Sequence, residues 1–313
     1  MERDETVVDQ AVLNPLIIEA AINGATSRRR NPNVARQPAE VTADALACLD
    51  AGAAIVHNHT DDDVLGHPSG RHESAPYREA WEPVLAARPD AILYPTMAGG
   101  GRGVRVEDRY AHFDELDAAG VLGMAVADPG SVNLAGRRAD GTVSASPHPY
   151  ENSPADIAWM FAWCRDHEAP VHVSIFEPGF LRLVLGHLDA GTLPARVKLQ
   201  LYLSGPTTYF GLPATEWGLD TYLRLLGDAP LPWMVGVVGG DVVGSGLAAL
   251  AIERGGHVRV GLEDFGDPGG RTPANADLVT EVVALAEAAG RPVATCGDAR
   301  AVLANPVGHA ATR

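Results

Sequence analysis

The sequence predicts a (β/α)8 barrel, and three observations carry that prediction. Short apolar runs rich in Val, Ile and Leu alternate eight times with longer helical patterns along the 313 residues. They recur every 30–40 residues or so, a spacing of about one βαβ unit each. The runs are continuously apolar rather than alternating, as strands are when both faces of a sheet are covered. A doubly wound open sheet is the other architecture with this rhythm. The cues such sheets carry for nucleotides are missing: no G-x-G-x-x-G follows the first run, and no G-x-x-x-x-G-K-[ST] occurs anywhere.

In chain order, the first unit pairs a strand at 16–22 with a helix at 38–51 that stops at Ala51-Gly52. The second pairs 54–59 with 74–87. The third pairs 91–96 with 105–119, ended by Ala119-Gly120. The fourth has a strand at 122–127, then a polar, turn-rich loop at 135–153 and a helix at 154–168. The fifth pairs 171–176 with 178–189, closed by Ala190-Gly191, and the sixth 197–203 with 216–227. The seventh pairs 233–238 with 242–254, before Arg254-Gly255-Gly256; the eighth pairs 258–263 with 274–289, before Ala289-Gly290. No low-complexity linker interrupts the series, so residues 1–313 are read as one barrel domain with loop extensions.

Net charge is −16 with no long basic run, which excludes nucleic acid as a natural partner, because phosphate neutralisation needs a positive face. No apolar run reaches the roughly 18–20 residues that span a bilayer. The acidic, polar start "MERDETVVDQ" is not a signal peptide, and the three distant cysteines form neither a disulfide framework nor a zinc knuckle. A cytoplasmic protein is expected.

The chemistry is announced by "AGAAIVHNH" at 51–59. Side chains alternate along a strand, so His57 and His59 share a face while Asn58 points away. They sit at the carboxyl end of the second strand, where barrel active sites form. A pair can arise by chance among 11 histidines. Burying two imidazoles without a partner is costly, however, and two on one face are half of a metal site. The third ligand should come from another strand's end. Glu263, in "GGHVRVGLEDFGD", is the candidate, with the first strand alone standing between its strand and that of the histidines. Arg259, four residues earlier, is expected to share its face and point inward, where it needs an anionic partner. Asp264 is expected on the opposite face, able to orient a ligand or move a proton, or else to serve the dipole of the following helix.

These residues resemble the β-keto acid cleavage enzymes, whose type member is 3-keto-5-aminohexanoate cleavage enzyme. The resemblance runs over nearly the whole chain through "IIEAAINGA", "AGAAIVHNH", "PGSVN" and "GGHVRVGLED". It implies a (β/α)8 barrel holding Zn2+ or another divalent cation, assembled as a homo-oligomer, typically a tetramer. It implies that His57, His59 and Glu263 bind the metal, that Arg259 and Asp264 are catalytic, and that Ser131 and Thr96 contact substrate. The implied reaction joins a β-keto acid and acetyl-CoA to give acetoacetate and a new acyl-CoA. Coenzyme A brings phosphates, and Arg28, Arg29 and Arg30 in the loop after the first strand are candidates to meet them or a substrate carboxylate; solvated arginines are the alternative. The glycine-rich 98–105 could admit a cofactor close to the backbone.

Three departures from the family pattern bear on substrate. Thr60-Asp61-Asp62-Asp63 follows the histidines where the family often has an arginine, Thr26 stands where the type member has an acid, and the fifth strand offers His172 and Ser174 instead of acids. With Phe176, Phe180 and Leu181 nearby, they point away from an amino-keto acid toward a hydrophobic one. A hydrolase of the amidohydrolase kind also uses H-x-H in a barrel. It places the pair on the first strand and adds a histidine on the sixth, where "VKLQLYL" has none. Of the remaining residues, His257 is expected to be structural, Trp159 and Trp163 to be core or subunit contacts, and His67 and His72 to pack on the surface.

Overall fold

The computed structural model describes residues 14–60, 71–99, 103–138, 140–144, 149–267 and 269–304. Its elements are β1 (Ile18–Ala21), α1 (Pro38–Ala51), β2 (Ile55–Asn58), α2 (Ala75–Ala87), β3 (Ile92–Pro95), α3 (Val106–Ala118), β4 (Ala125–Ala127), β5 (Ala135–Gly136), α4 (Pro154–Asp166), β6 (Val171–Ile175), α5 (Pro178–Asp189), β7 (Val197–Ser204), β8 (Thr208–Tyr209), α6 (Glu216–Leu226), β9 (Trp233–Val238), α7 (Leu247–Glu253), β10 (His257–Val260), α8 (Asn275–Ala288) and α9 (Cys296–Ala304). Eight strands pair in parallel in the order β3-β2-β1-β10-β9-β7-β6-β4, while β5 and β8 form a small antiparallel ladder beyond them. The predicted (β/α)8 barrel is the fold observed. No helix among the described residues is long and apolar enough to cross a membrane.

Closure falls between β3 and β4. There the ladder gives way, among the described residues, to a backbone hydrogen bond from Gly123 N–H to Leu93 C=O at 2.9 Å. Gly123 belongs at this seam: a Cβ built on it lies 2.7 Å from Leu93 N and 2.8 Å from Leu93 O, backbone atoms that cannot move aside. This is why β4 begins at Ala125 and not at 122 as the apolar run suggests. We expect Gly123→Val to force the seam apart and lower stability by about 3 kcal/mol, measured by denaturant unfolding; an unchanged midpoint would show that the approach is not obligatory.

The barrel interior is unusually polar. Registers set Glu19 beside Arg259, Ala21 beside His57, His57 beside Tyr94 and His172 beside Lys198, all directed inward. The apolar core lies instead between sheet and helices, on residues such as Ile18, Val56, Leu93, Val258, Trp81 and Leu278. Trp163 packs in that core and donates to Asp114 at 2.8 Å.

His257, the first residue of β10, accepts the Ile17 backbone N–H on Nδ1 at 3.0 Å, a structural role as expected. Burial, helped by Arg291 and Lys198, pushes its pKa down to about 3. The unfolded value is about 6.5, so between these pH values unfolding takes up a proton and stability falls as pH falls. His257→Asn keeps an acceptor for Ile17 and should flatten the acid limb by about 1.4 kcal/mol per pH unit in denaturant titrations. An unaltered slope would assign acid sensitivity elsewhere.

Three readings need correction. The expected helix at 242–254 is only α7, because Asp241 accepts the backbone N–H groups of Val243 and Gly244 at 2.9 Å each and holds a turn there. A ninth helix, α9, follows the eighth unit. The eighth barrel strand, β10, stops at Val260, so Glu263 and Asp264 do not alternate on a strand. They lie in a turn in which Phe265 N–H bonds Gly261 C=O at 2.9 Å, and both reach the same arginine.

Candidate metal centre

His57 comes from the end of β2 and His59 from just beyond it. Asn23, in the loop after β1, fixes the second of these: its Oδ1 accepts the His59 N–H at 2.7 Å and its Nδ2 donates to the His59 carbonyl at 2.9 Å. The next residue, Gly24, makes room for the third ligand. At φ +48° a Cβ there would lie 2.2 Å from Glu263 Cγ. The turn carrying Glu263 is pinned by Thr26 Oγ1 donating to Leu262 C=O at 2.7 Å and by Asn275 Oδ1 accepting Leu262 N–H at 2.8 Å. The stretch "NGAT" after the first strand thus builds the site without lending it a ligand.

One ligand atom from each of His57, His59 and Glu263 lies within 4.8 Å of the others. His57 Nε2 is 3.3 Å from Glu263 Oε2, and His59 Nε2 is 3.4 Å from Glu263 Oε1. Two ligands bound at about 2.1 Å in a tetrahedral arrangement stand roughly 3.4 Å apart, so the spacing suits a cation such as zinc. His57 Nδ1 lies 3.2 Å from the Tyr94 carbonyl, which can only accept; Nδ1 therefore carries the hydrogen and Nε2 the lone pair. Burial lowers the His57 pKa, with Glu263 opposing, and keeps the ring neutral. Glu263 Oε2 is buried without a hydrogen-bond partner. Two lone pairs facing each other at this distance are what a cation between them would reconcile. Burial alone would raise the Glu263 pKa, but Arg259 and the two imidazoles hold the carboxyl well below the usual range.

Arg259 is fully engaged. Its Nε donates to Asp264 Oδ2 at 2.7 Å, Nη1 to Glu19 Oε1 at 2.9 Å and to the Tyr94 hydroxyl at 3.1 Å, and Nη2 to Asp264 Oδ1 at 3.4 Å, with Nη2 also 2.8 Å from Glu263 Oε1 as an ion pair. Burial raises the Asp264 pKa to about 6 although Arg259 pulls it down. Glu19 is in turn paired with Lys198, both inaccessible to solvent. Tyr94 donates to Glu19 at 2.5 Å, and its oxygen lies 2.9 Å from His172 Nδ1, whose ring is kept neutral by burial and by Lys198.

Of these groups His57, His59, Glu263, Arg259, Tyr94 and His172 line a cavity of about 280 Å³ at the carboxyl ends of the barrel strands, while Asp264, Glu19 and Lys198 are not among its lining residues. Thr96 lines it, and so does His72, which therefore does not simply pack on the surface. Ser131 and Arg28 are not among the lining residues. Ser131 is exposed as a residue, and its hydroxyl bridges the backbone of Asn152 at 3.0 and 3.1 Å; Arg28 is exposed and pairs with Glu40 on α1. Arg30 donates to the Phe265 carbonyl at 2.9 Å. Asp61–Asp63, His67 and the middle of the glycine-rich loop, 100–102, lie outside the described residues. Sequence reasoning passed over Asp128, Tyr150 and Tyr202, which also line the cavity, and Glu19, whose lone charge in an apolar strand was a readable signal.

Residues 15–304 match the family model of beta-keto acid cleavage enzymes. The chain is 29% identical over 301 residues to the 3-oxoadipate:acetyl-CoA acetyltransferase of Cupriavidus necator, covering 93% of this chain and 95% of that protein. It is equally similar, at 29%, to the 3-keto-5-aminohexanoate cleavage enzyme of Acetoanaerobium sticklandii, covering 93% and 98%. A solved ternary complex of ObcA with a C4-CoA adduct and oxalate superposes with a TM-score of 0.65 at 19% identity, over 87% of this chain and 67% of that one, and supports the barrel fold.

Proposed function

Because the chain belongs to the beta-keto acid cleavage enzyme family, we propose that it carries out the acyl exchange for which its relatives are named, converting a β-keto acid and acetyl-CoA into acetoacetate and a new acyl-CoA. The observation that carries this reading is the convergence of His57, His59 and Glu263, with Arg259 holding both Glu263 and Asp264 behind them. The three ligands would hold a divalent cation, which we take to be zinc; when bound, it supplies Lewis-acid polarisation of the keto acid's oxygens.

Asp264 takes the proton from C2 through a water, and a carboxyl raised toward 6 is a serviceable base near neutral pH. Arg259 keeps that carboxylate aimed and shares its charge. The enolate attacks the thioester carbonyl, forming the new C–C bond, and the C–S bond breaks to release coenzyme A as its thiolate, which takes up a proton. The thiol of coenzyme A then adds to the original keto carbon, and the C2–C3 bond breaks. The electron pair stays on the acetoacetate carbon, which recovers a proton. The Thr96 hydroxyl is our candidate to receive the substrate carboxylate. Glu19, Tyr94, Glu263 and Asp264 already engage the Arg259 guanidinium. We also take the enzyme to be a cytoplasmic homotetramer, to be checked by sizing and metal analysis.

The test is incubation of metal-loaded protein with acetyl-CoA and a panel of β-keto acids, followed by mass spectrometry of the thioesters. Acetoacetate appearing in step with a new acyl-CoA is expected. Cleavage that ignores acetyl-CoA would point to a zinc hydrolase and overturn the reading.

A further inference from the structure

The geometry points to a narrower substrate: a β-keto monocarboxylate whose arm beyond the keto carbon bears no negative charge and offers a hydrogen-bond donor to Asp128. This inference rests on the proposed acyl exchange and deepens it. In the ring of strands β4 stands opposite β10, so Asp128, just after β4, faces the cavity from across the barrel, away from the turn that carries Glu263. Asp128 is 7% exposed. Its Oδ2 accepts the Tyr150 hydroxyl at 2.5 Å, and no other hydrogen bond engages its carboxylate among the described residues. A carboxylate so placed repels an anionic arm and welcomes a donor.

Among the described residues, no cation lining the cavity is left over to offset it for a ligand. Arg259 is the one arginine or lysine among the described residues lining the cavity, and its guanidinium already serves Glu19, Tyr94, Glu263 and Asp264. Arg109, behind Tyr150, does not line the cavity. It donates to the Tyr150 hydroxyl at 3.0 Å, to Asn152 Oδ1 at 2.6 Å and to the Ala98 carbonyl at 2.8 Å. Val126, Leu134, Phe176 and Tyr202 give the cavity apolar and aromatic wall, beside the polar His72, Thr96, His172 and Ser174. A hydrocarbon arm of a few carbons ending in a hydroxyl or ammonium fits them. A second carboxylate, as in the 3-oxoadipate for which one relative is named, does not.

The experiment measures kcat/KM with acetyl-CoA for four six-carbon acids: 3-oxohexanoate, its 5-hydroxy and 5-amino derivatives, and 3-oxoadipate. We expect a donor-bearing acid to lead, with 3-oxoadipate about 100-fold lower or more. Asp128→Asn should shrink that gap about tenfold, mainly through KM, with bound metal unchanged. The hydroxyl and ammonium arms decide which donor is preferred. If 3-oxoadipate equals the best acid, or 3-oxohexanoate matches the donors, or Asp128→Asn leaves the ratios as they were, the inference falls while the acyl exchange stands. The ranking in the unaltered protein decides the matter even if the variant does not fold. Turnover of none of the four overturns the proposed function and this inference together.

Discussion

Glu263→Gln is expected to release the bound cation and cut kcat/KM by about 10³-fold or more, since a Lewis acid contributes several kcal/mol to stabilising the charge that develops. His57→Ala should do the same. The two losses differ in cause. Glutamine keeps the shape of the side chain but gives up the charge that opposes the cation, and its amide would face the lone pair of His57 Nε2 at about the 3.3 Å now seen. Alanine removes the imidazole that Tyr94 orients through Nδ1. Metal analysis and activity must fall together. Full activity in Glu263→Gln with one equivalent of metal retained would remove Glu263 from the ligand set, and the centre would have to be sought elsewhere. Because Glu263 also meets Arg259 at 2.8 Å, the variant's thermal stability should be recorded alongside.

The second large effect concerns folding. Glu19 and Lys198 form an ion pair wholly sealed from solvent. Burial pulls the Lys198 pKa down, with Glu19 opposing. Lys198, His172 and Arg259 hold the Glu19 carboxyl well below its usual range in spite of burial. Removing Glu19 strands Lys198, whereas removing Lys198 leaves Glu19 still paired with Arg259. Glu19→Gln alone should therefore cost about 3–5 kcal/mol, and Lys198→Met less. The double variant Glu19→Gln/Lys198→Met should recover much of that, because it buries no unpaired charge. Denaturant unfolding of the three proteins gives the coupling. Additive losses would show that the pair is not energetically linked, whatever its distance.

Much of the centre was readable because its spacing is local. His57 and His59 are two apart at a strand end, and Glu263 and Arg259 sit in one short segment, so periodicity and the barrel rule were enough to bring them to one mouth. What periodicity could not supply was where a strand stops. Extending the eighth strand to Glu263 assigned Glu263 and Asp264 to opposite faces; the turn after Val260 brings both to Arg259. Asp128 and Tyr150 were illegible for a different reason. They are 22 residues apart in irregular chain and meet only once the loop after β4 folds back. Glu19 and Lys198 are each a lone charge in an apolar run and were passed over, and nothing local joins residues 179 apart. The helix α9 lies past the eighth repeat, where counting units gives no reason to look.

The weakly laced junction between β3 and β4 has a mechanical meaning. A barrel yields first where its backbone is least stitched, so Gly123 and its neighbours should show the fastest amide exchange among the strands. One bank of that junction delivers Tyr94 and Thr96, the other Asp128. Slight parting there would spread the two walls of the substrate chamber without disturbing the histidines anchored on β2. The enzyme's tolerance for bulkier acids should therefore track the looseness of this one hem.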